Sequence, residues 1–287
     1  MNFEVGIIGL GFVGGAVLNA YKLKGHHVHT FDVDERKNPT CSSFEEFLTN
    51  ANLIYVAVPT PMNSSGECDT SIVEGVVHDL CMTDSQKVII IKSTVPPGTT
   101  ERLQERYPNH YILFNPEFLT EANYLDDYLN QDVLVVGKSE NTPHEIAEAV
   151  LMNQVRVINS VRFVQITTAT TAELLKYTAN TFLAVKVSFA NELYDIATAA
   201  GVEWETLRSL LVEDSRLGKS HWKVPGPDGH RGFGGTCFPK DISALINYAK
   251  TKELQTPLLR AAWNRNVIVD RPERDWETLK GRAISNT

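Results

Sequence analysis

The sequence predicts an α/β protein: a doubly wound, mostly parallel sheet, followed by an all-helical domain built on one long helix. Three observations predict it. Short apolar runs alternate with helix-prone stretches as far as Ile158, the pattern of a parallel sheet covered by helices. A glycine cluster, Gly9-Leu10-Gly11-Phe12-Val13-Gly14, follows the first apolar run directly. From Thr168 to Ala200 the chain contains neither Gly nor Pro and is rich in Ala, Leu, Lys and Glu, which reads as one helix stopped by Gly201.

The first apolar run, Val5 to Ile8, reads as a buried strand. Gly15 to Lys24 has helical character, and His27 to Phe31 is a second strand ending at Asp32. Strand, G-x-G-x-x-G, helix and an acid about twenty residues on make up a Rossmann dinucleotide-binding unit. Gly9 allows the tight turn, Gly11 gives a pyrophosphate room, and Gly14 lets helix and strand pack closely. Phe12 and Val13 complete the turn, where the helix N-terminus offers free N–H groups to phosphate. The Asp32 carboxylate suits the ribose hydroxyls of NAD and would repel the 2′-phosphate of NADP. Arg36 reads either as an adenine contact or as a solvated loop charge.

Ser43 to Asn50 reads as a short helix, and Leu53 to Val58 as a third strand running into Pro59-Thr60-Pro61. Ser71 to Cys81 looks helical. Lys87 to Ile91 is a fourth strand that delivers Ser93-Thr94-Val95-Pro96-Pro97-Gly98 to the carboxyl edge of the sheet, where such folds bind ligands. Tyr111 to Phe114 is a strand ending in Asn115-Pro116-Glu117-Phe118-Leu119-Thr120-Glu121. Val133 to Val136 is another; Thr142 to Asn153 reads as a helix and Val155 to Ile158 as the last strand. These elements place residues 1–165 in an NAD-binding domain and 166–287 in a helical domain. Behind the long helix, Trp204 to Val212, Asp241 to Lys252 and Pro257 to Val269 read as helices, with a Pro/Gly-rich loop over 218–236. A helix as long as 168–200 in a small domain suggests packing against a second copy, hence a homodimer.

Bulk properties narrow the function. A formal net charge of −8 argues against a nucleic-acid-binding surface, and no stretch approaches a membrane span. The N-terminus carries no leader pattern. Cys41, Cys68, Cys81 and Cys237 show no metal spacing and read as free thiols in a reducing cytoplasm; the histidines suggest no metal either.

The segment Gly232-Phe233-Gly234-Gly235-Thr236-Cys237-Phe238-Pro239-Lys240-Asp241 sets one thiol in a small-residue turn, a cation and a carboxylate following closely. A nearby ammonium favours the thiolate, and glycines let substrate atoms approach the backbone. A Gly-rich loop around an inert cysteine is the alternative reading of the same residues.

With Gly9 to Gly14, Asn115 to Glu121, Glu173-Leu-Leu-Lys176-Tyr-Thr-Ala-Asn180 and Gly232 to Asp241 in one order, the chain resembles the UDP-glucose/GDP-mannose dehydrogenase family over nearly its whole length. The resemblance implies oxidation of the C6 alcohol of a nucleotide sugar, UDP-glucose the expected substrate, to a carboxylate with two NAD and no metal. It implies that Cys237 adds to the intermediate aldehyde and becomes a thioester. It gives Lys176 and Asn180, at i and i+4 on one helix face, to the developing oxyanion, Glu117 to acid/base chemistry, and Asp241 to water activation. Thr94 would position that water or the nicotinamide. Thr60, Glu121 and Lys240 would touch NAD. Glu117, Lys176, Asn180, Trp222, Lys223 and Gly234 would hold substrate, and Arg216 would lie near a subunit contact. From the residues alone, Lys176 could be a solvated helix charge and Glu121 a helix-start acid.

Family members usually continue into a third, Rossmann-like domain that grips the nucleotide. Leu279 to Ile284 reads as the opening of its first strand, and that domain is expected to be absent here. Three alternatives stand beside the leading reading: oxidation of another UDP- or GDP-sugar by nearly the same catalytic set, a two-electron β-hydroxy acid dehydrogenase, which needs no thiol, and an NAD-binding remnant without turnover.

Overall fold

The computed structural model describes residues 3–285. The chain divides into two compact units, residues 1–60 with 70–176, and residues 61–69 with 177–287.

The first unit is a seven-stranded sheet: β1 (Val5–Ile8), β2 (His29–Phe31), β3 (Leu53–Val56), β4 (Val88–Ile91), β5 (Tyr111–Phe114), β6 (Asn130–Lys138) and β7 (Ser160–Thr168). Their spatial order is β2-β1-β3-β4-β5-β6-β7, all neighbours being parallel except β5 and β6. Strands β1, β3 and β4 are buried along their whole length, which is why they read as continuous apolar runs. Helices α1 (Phe12–Leu23), α2 (Phe44–Asn50), α3 (Ser71–Cys81), α4 (Thr99–Arg106), α5 (Tyr124–Leu129) and α6 (His144–Val155) connect them. Ser43 caps α2 by accepting the Glu46 N–H, while the Glu46 carboxylate takes the N–H of Ser42. Two apolar clusters fill this unit, one around Ile7, Val17, Tyr55 and Val136, the other around Ile54, Val77, Ile91 and Phe114.

The chain order reverses between β1 and β3. That is the switch point at which open α/β sheets bind ligands. Gly9 lies there at φ +86°, where a Cβ would sit 2.5 Å from the Ala57 carbonyl oxygen.

Two sequence expectations change. Val155 to Ile158 is not a strand: Val155 completes α6, and Val157 and Ile158 are buried in the turn behind it. The last strand is β7, largely exposed at the sheet edge, where Val161, Phe163, Val164 and Ile166 are interleaved with Arg162, Gln165 and threonines rather than forming one continuous apolar run. Leu279 to Ile284 forms a turn, closed by the Gly281 N–H on the Ile284 carbonyl, rather than the opening of a strand. The Met62 N–H bonds the Ala283 carbonyl, and the Ser285 N–H bonds Met62.

The long helix α7 (Ala169–Ala199) runs across the unit boundary, which falls after Lys176. The second unit adds α8 (Trp204–Leu211), α9 (Phe238–Thr251) and α10 (Pro257–Arg265), the last continuing as a wider turn over Asn266–Asp270. Ala184, Phe233, Ile242 and Ile246 form one of its cores, and Ala190, Trp204 and Trp222 another. No helix among the described residues is long and apolar enough to cross a membrane.

Candidate active site

In the first unit the glycine turn fits a dinucleotide. A Cβ on Gly14 would lie 1.8 Å from the Gly9 carbonyl oxygen, so the helix starts this close only with glycine. The space beside Gly11 is open and no side chain of the described residues caps α1, and a helix N-terminus beside such a space suits a pyrophosphate. Phe12 packs its ring 5.6 Å from Tyr124. The Asp32 carboxylate accepts the N–H of Leu10 at 2.6 Å and of Asp34 at 2.8 Å, which fixes it beside the turn. Each oxygen keeps a lone pair for a ribose hydroxyl. Arg36 pairs with Asp34, whereas Lys37 reaches the Leu10 carbonyl at 3.2 Å. Lys37 thus places a cation at the turn, which its sequence position does not reveal.

At the ends of β4 and β5 two lysines flank the Asn115-Pro116-Glu117 turn. The Lys176 ammonium contacts the Glu117 carboxylate at 2.7 Å and donates to its backbone carbonyl at 2.7 Å. Lys176 is therefore not a solvated charge. Burial pushes Glu117 upward, but Lys176, the Leu119 N–H and Lys92 outweigh it and hold the carboxyl below its usual range. Lys92 is enclosed too, donating to Asn115 Oδ1 at 2.6 Å with Tyr128 below it. Its pKa is pushed down to about 7 by burial, opposed by Glu117 and assisted by Lys176. Thr60 and Thr94 are buried, and Ser93 bonds the Val58 carbonyl at 2.7 Å. Glu121 is exposed in the turn before α5, two residues ahead of its first flanking residue, Asn123.

In the second unit Cys237 is the residue flanking the N-terminus of α9 and is partly exposed. A helix N-terminus favours an anion there. Cys41 and Cys81, by contrast, are buried, and burial pushes both thiols up, Cys81 to about 12. The Asp241 carboxylate, itself buried, accepts the Asn180 amide at 2.6 Å and the Lys240 ammonium at 2.5 Å. Burial works to lower the pKa of Lys240, but Asp241, then Cys237 and Cys68, raise it further, so its ammonium is retained. Cys68 thus shares the field of Lys240 with Cys237, which its sequence position did not reveal.

Two glycines of the Cys237 loop are required by the protein's own groups. Asn266 accepts the Phe233 N–H at 2.7 Å and donates to the Phe233 carbonyl at 2.9 Å. A Cβ on Gly232 would lie 2.3 Å from that Asn266 oxygen, and one on Gly234 2.4 Å from the guanidinium carbon of Arg271. Arg271 is buried and held by Asp228 and Asp275. Trp222 is a core residue whose indole N–H bonds the Gly218 carbonyl at 2.9 Å, with the Lys186 ammonium 4.8 Å from its ring. Lys223 is exposed, as is Arg216 on Asp214. No group of three or more His, Cys, Asp or Glu among the described residues could hold a metal ion.

Comparison with known proteins decides the family. Residues 38–155 match the NAD binding domain of the UDP-glucose/GDP-mannose dehydrogenase family, and residues 170–267 match its central domain. The chain is 30% identical to UDP-glucose 6-dehydrogenase TuaD of Bacillus subtilis, covering 98% of this chain and 68% of that protein. The chain belongs to the UDP-glucose/GDP-mannose dehydrogenase family. It is also 32% identical to a UDP-glucose 6-dehydrogenase of Rickettsia bellii, of which it spans 63%. A UDP-glucose dehydrogenase structure from Pyrobaculum islandicum superposes with a TM-score of 0.80 at 27% identity, covering 93% of this chain and 68% of that one. As in that family, the cofactor is NAD.

Two outcomes test this geometry. Asn266→Ala leaves the buried N–H and carbonyl of Phe233 without partners and should cost about 2–4 kcal/mol in urea unfolding; an unchanged midpoint contradicts the role given to Asn266. Lys92 is protonated in the unfolded chain up to about pH 10 but loses its proton near 7 when folded, so its burial cost is full below 7 and relieved as pH rises. Lys92→Met should therefore gain stability relative to wild type at pH 6–7, by an amount falling by roughly a few kcal/mol towards pH 10. A pH-independent difference would show that Lys92 keeps its proton.

Proposed function

We propose that the chain is an NAD-dependent nucleotide-sugar dehydrogenase that oxidises the C6 alcohol of UDP-glucose to the carboxylate in two steps. The observation that carries this reading is Cys237: a partly exposed thiol at a helix N-terminus, within the field of an ammonium and one turn from a buried carboxylate. A two-electron alcohol dehydrogenase has no use for such a thiol. Two NAD molecules, bound in turn in the first unit, would each accept one of the two hydrides.

The residues supply the remainder. Glu117, ionised beside Lys176, takes the proton from the alcohol. Oxidation at C6 leaves an aldehyde, whose carbonyl carbon must gain a nucleophile before a second hydride can leave. The Cys237 thiolate adds there, giving a thiohemiacetal that is oxidised to a thioester. Lys176 and Asn180 meet the oxygen as it becomes anionic; the Asn180 amide gives one N–H to Asp241 and carries a second. Asp241 takes a proton from water as the water attacks the thioester, releasing the acid and the thiol. Thr94 orients the water, and Thr60, Glu121 and Lys240 are assigned to NAD by family resemblance. Trp222, Lys223 and Gly234 are assigned to the substrate loop on the same basis, Trp222 as part of its buried base.

We place the protein in the cytoplasm, in keeping with its four free cysteines, and read it as a homodimer through the second unit. Phe182, Phe189 and Ile196 lie seven residues apart on α7 and are 65%, 52% and 57% exposed. An apolar row with that spacing is the seam of a helix pair.

Cys237→Ser should reduce acid formation at least ~1000-fold, since the alcohol is a far poorer nucleophile, and leave NAD affinity within about twofold. Acid formation at the wild-type rate refutes the thioester route. Phe182→Glu with Phe189→Glu should convert a dimer to a monomer in sedimentation equilibrium; a wild-type protein that is monomeric at every concentration contradicts the dimer.

A further inference from the structure

One fully buried carboxylate in the first unit has no role in the chemistry above. Glu173, on the second turn of α7, is 0% exposed. Its oxygens accept three hydrogen bonds from α4, whose sequence position is far away: the Gly98 N–H at 2.6 Å, the Thr100 N–H at 2.8 Å and the Thr100 hydroxyl at 2.6 Å. These donors stand at the N-terminus of α4. Gly98, at φ +93°, flanks that helix and has no side chain to cap it, so the cap comes from another helix.

What lies on either side of this contact gives it a function. Immediately before Gly98 runs the loop that carries Thr94. Three residues after Glu173, on the same helix, is Lys176, whose ammonium rests on Glu117. A three-residue step along a helix is about 4.5 Å of rise, so any slip of α7 against α4 moves Lys176 by a comparable amount. The Glu117 contact alone cannot prevent this, because a lysine side chain has four rotatable bonds and follows its partner. Glu173 is shorter, and its two oxygens meet three donors at fixed positions. Burial raises its pKa to about 7 against the pull of Thr100 and Gly98, with Glu101 adding to the rise. The best-attested use of a buried polar group, where an apolar residue would pack, is to fix register.

We infer that Glu173 is a positioning residue: its carboxylate locks α7 to the N-terminus of α4 and so fixes Lys176 relative to the Thr94 loop. The inference rests on the proposed dehydrogenase reading for its consequence in turnover, but the lock itself is testable without substrate. In Glu173→Gln the amide nitrogen must face an N–H, so one side of the clamp opens while size is conserved.

The experiment measures acetylation of Lys176 by acetic anhydride in the free protein, by peptide mass spectrometry, together with thermal melting and kcat with NAD and UDP-glucose. Glu173→Gln should acetylate Lys176 at least fivefold faster than wild type and lower kcat at least tenfold, with the KM for NAD changed less than threefold. Thr100→Val, which removes one of the three bonds, should raise the acetylation rate about twofold and serves if the glutamine variant does not fold. A lower melting temperature with Lys176 acetylated at the wild-type rate would make Glu173 a helix cap and nothing more, and would overturn the inference. Wild-type protein that turns over no nucleotide sugar refutes the dehydrogenase reading, while the acetylation rates still decide the lock.

Discussion

The buried ion pair between Lys176 and Glu117 is the contact on which the arrangement of the first unit's candidate site depends. Two charges withdrawn from water are tolerated only when each satisfies the other, and removing one partner strands the other at a cost of ~3–5 kcal/mol. The pair is further fixed because Lys176 also holds the Glu117 backbone carbonyl, and the Leu119 N–H holds the Glu117 carboxylate. The ammonium is therefore held on Glu117, and the carboxylate stays ionised. An ionised carboxylate, which the proposed reaction would use as a proton acceptor, and a fixed positive charge are produced by the same contact.

The second unit solves a different problem, how to expose a thiol without leaving its loop slack. It does so by spending polar side chains on the loop backbone. Asn266 pairs with both polar groups of Phe233, and Arg231 and Arg265 tie Asp195 and Asp270 behind it. Glycine at 232 and 234 is the space those partners need. The loop is held from behind, while Cys237 faces the helix N-terminus that favours its anion.

How much of this was legible in the sequence follows from the range of each constraint. The Gly9–Gly14 turn and Asp32 were readable because the strand, turn, helix and acid are local. The long helix was readable from an uninterrupted composition, and the structure gives Ala169–Ala199. Strand β7 is hard to read because, at an exposed edge, its apolar residues are interleaved with polar ones and are not selected for burial. Glu173, Lys92, Asn266 and Arg271 were not singled out for a common reason: their partners lie far away in the chain, at Gly98 and Thr100, at Asn115, at Phe233, and at Asp228. A glutamate in a helix and an asparagine after one look ordinary until the fold supplies what they bind. Trp222, which the family resemblance gives to the substrate, has its ring in a core of the second unit.

The measurement that bears most directly on the central claim is stoichiometric. Purified protein is incubated with limiting UDP-glucose and excess NAD, and the NADH formed is counted against sugar consumed. Two NADH for each sugar, with UDP-glucuronate as the sole sugar product, is the result the account expects of a thiol that captures the aldehyde. One NADH for each sugar, with free aldehyde released, would contradict it.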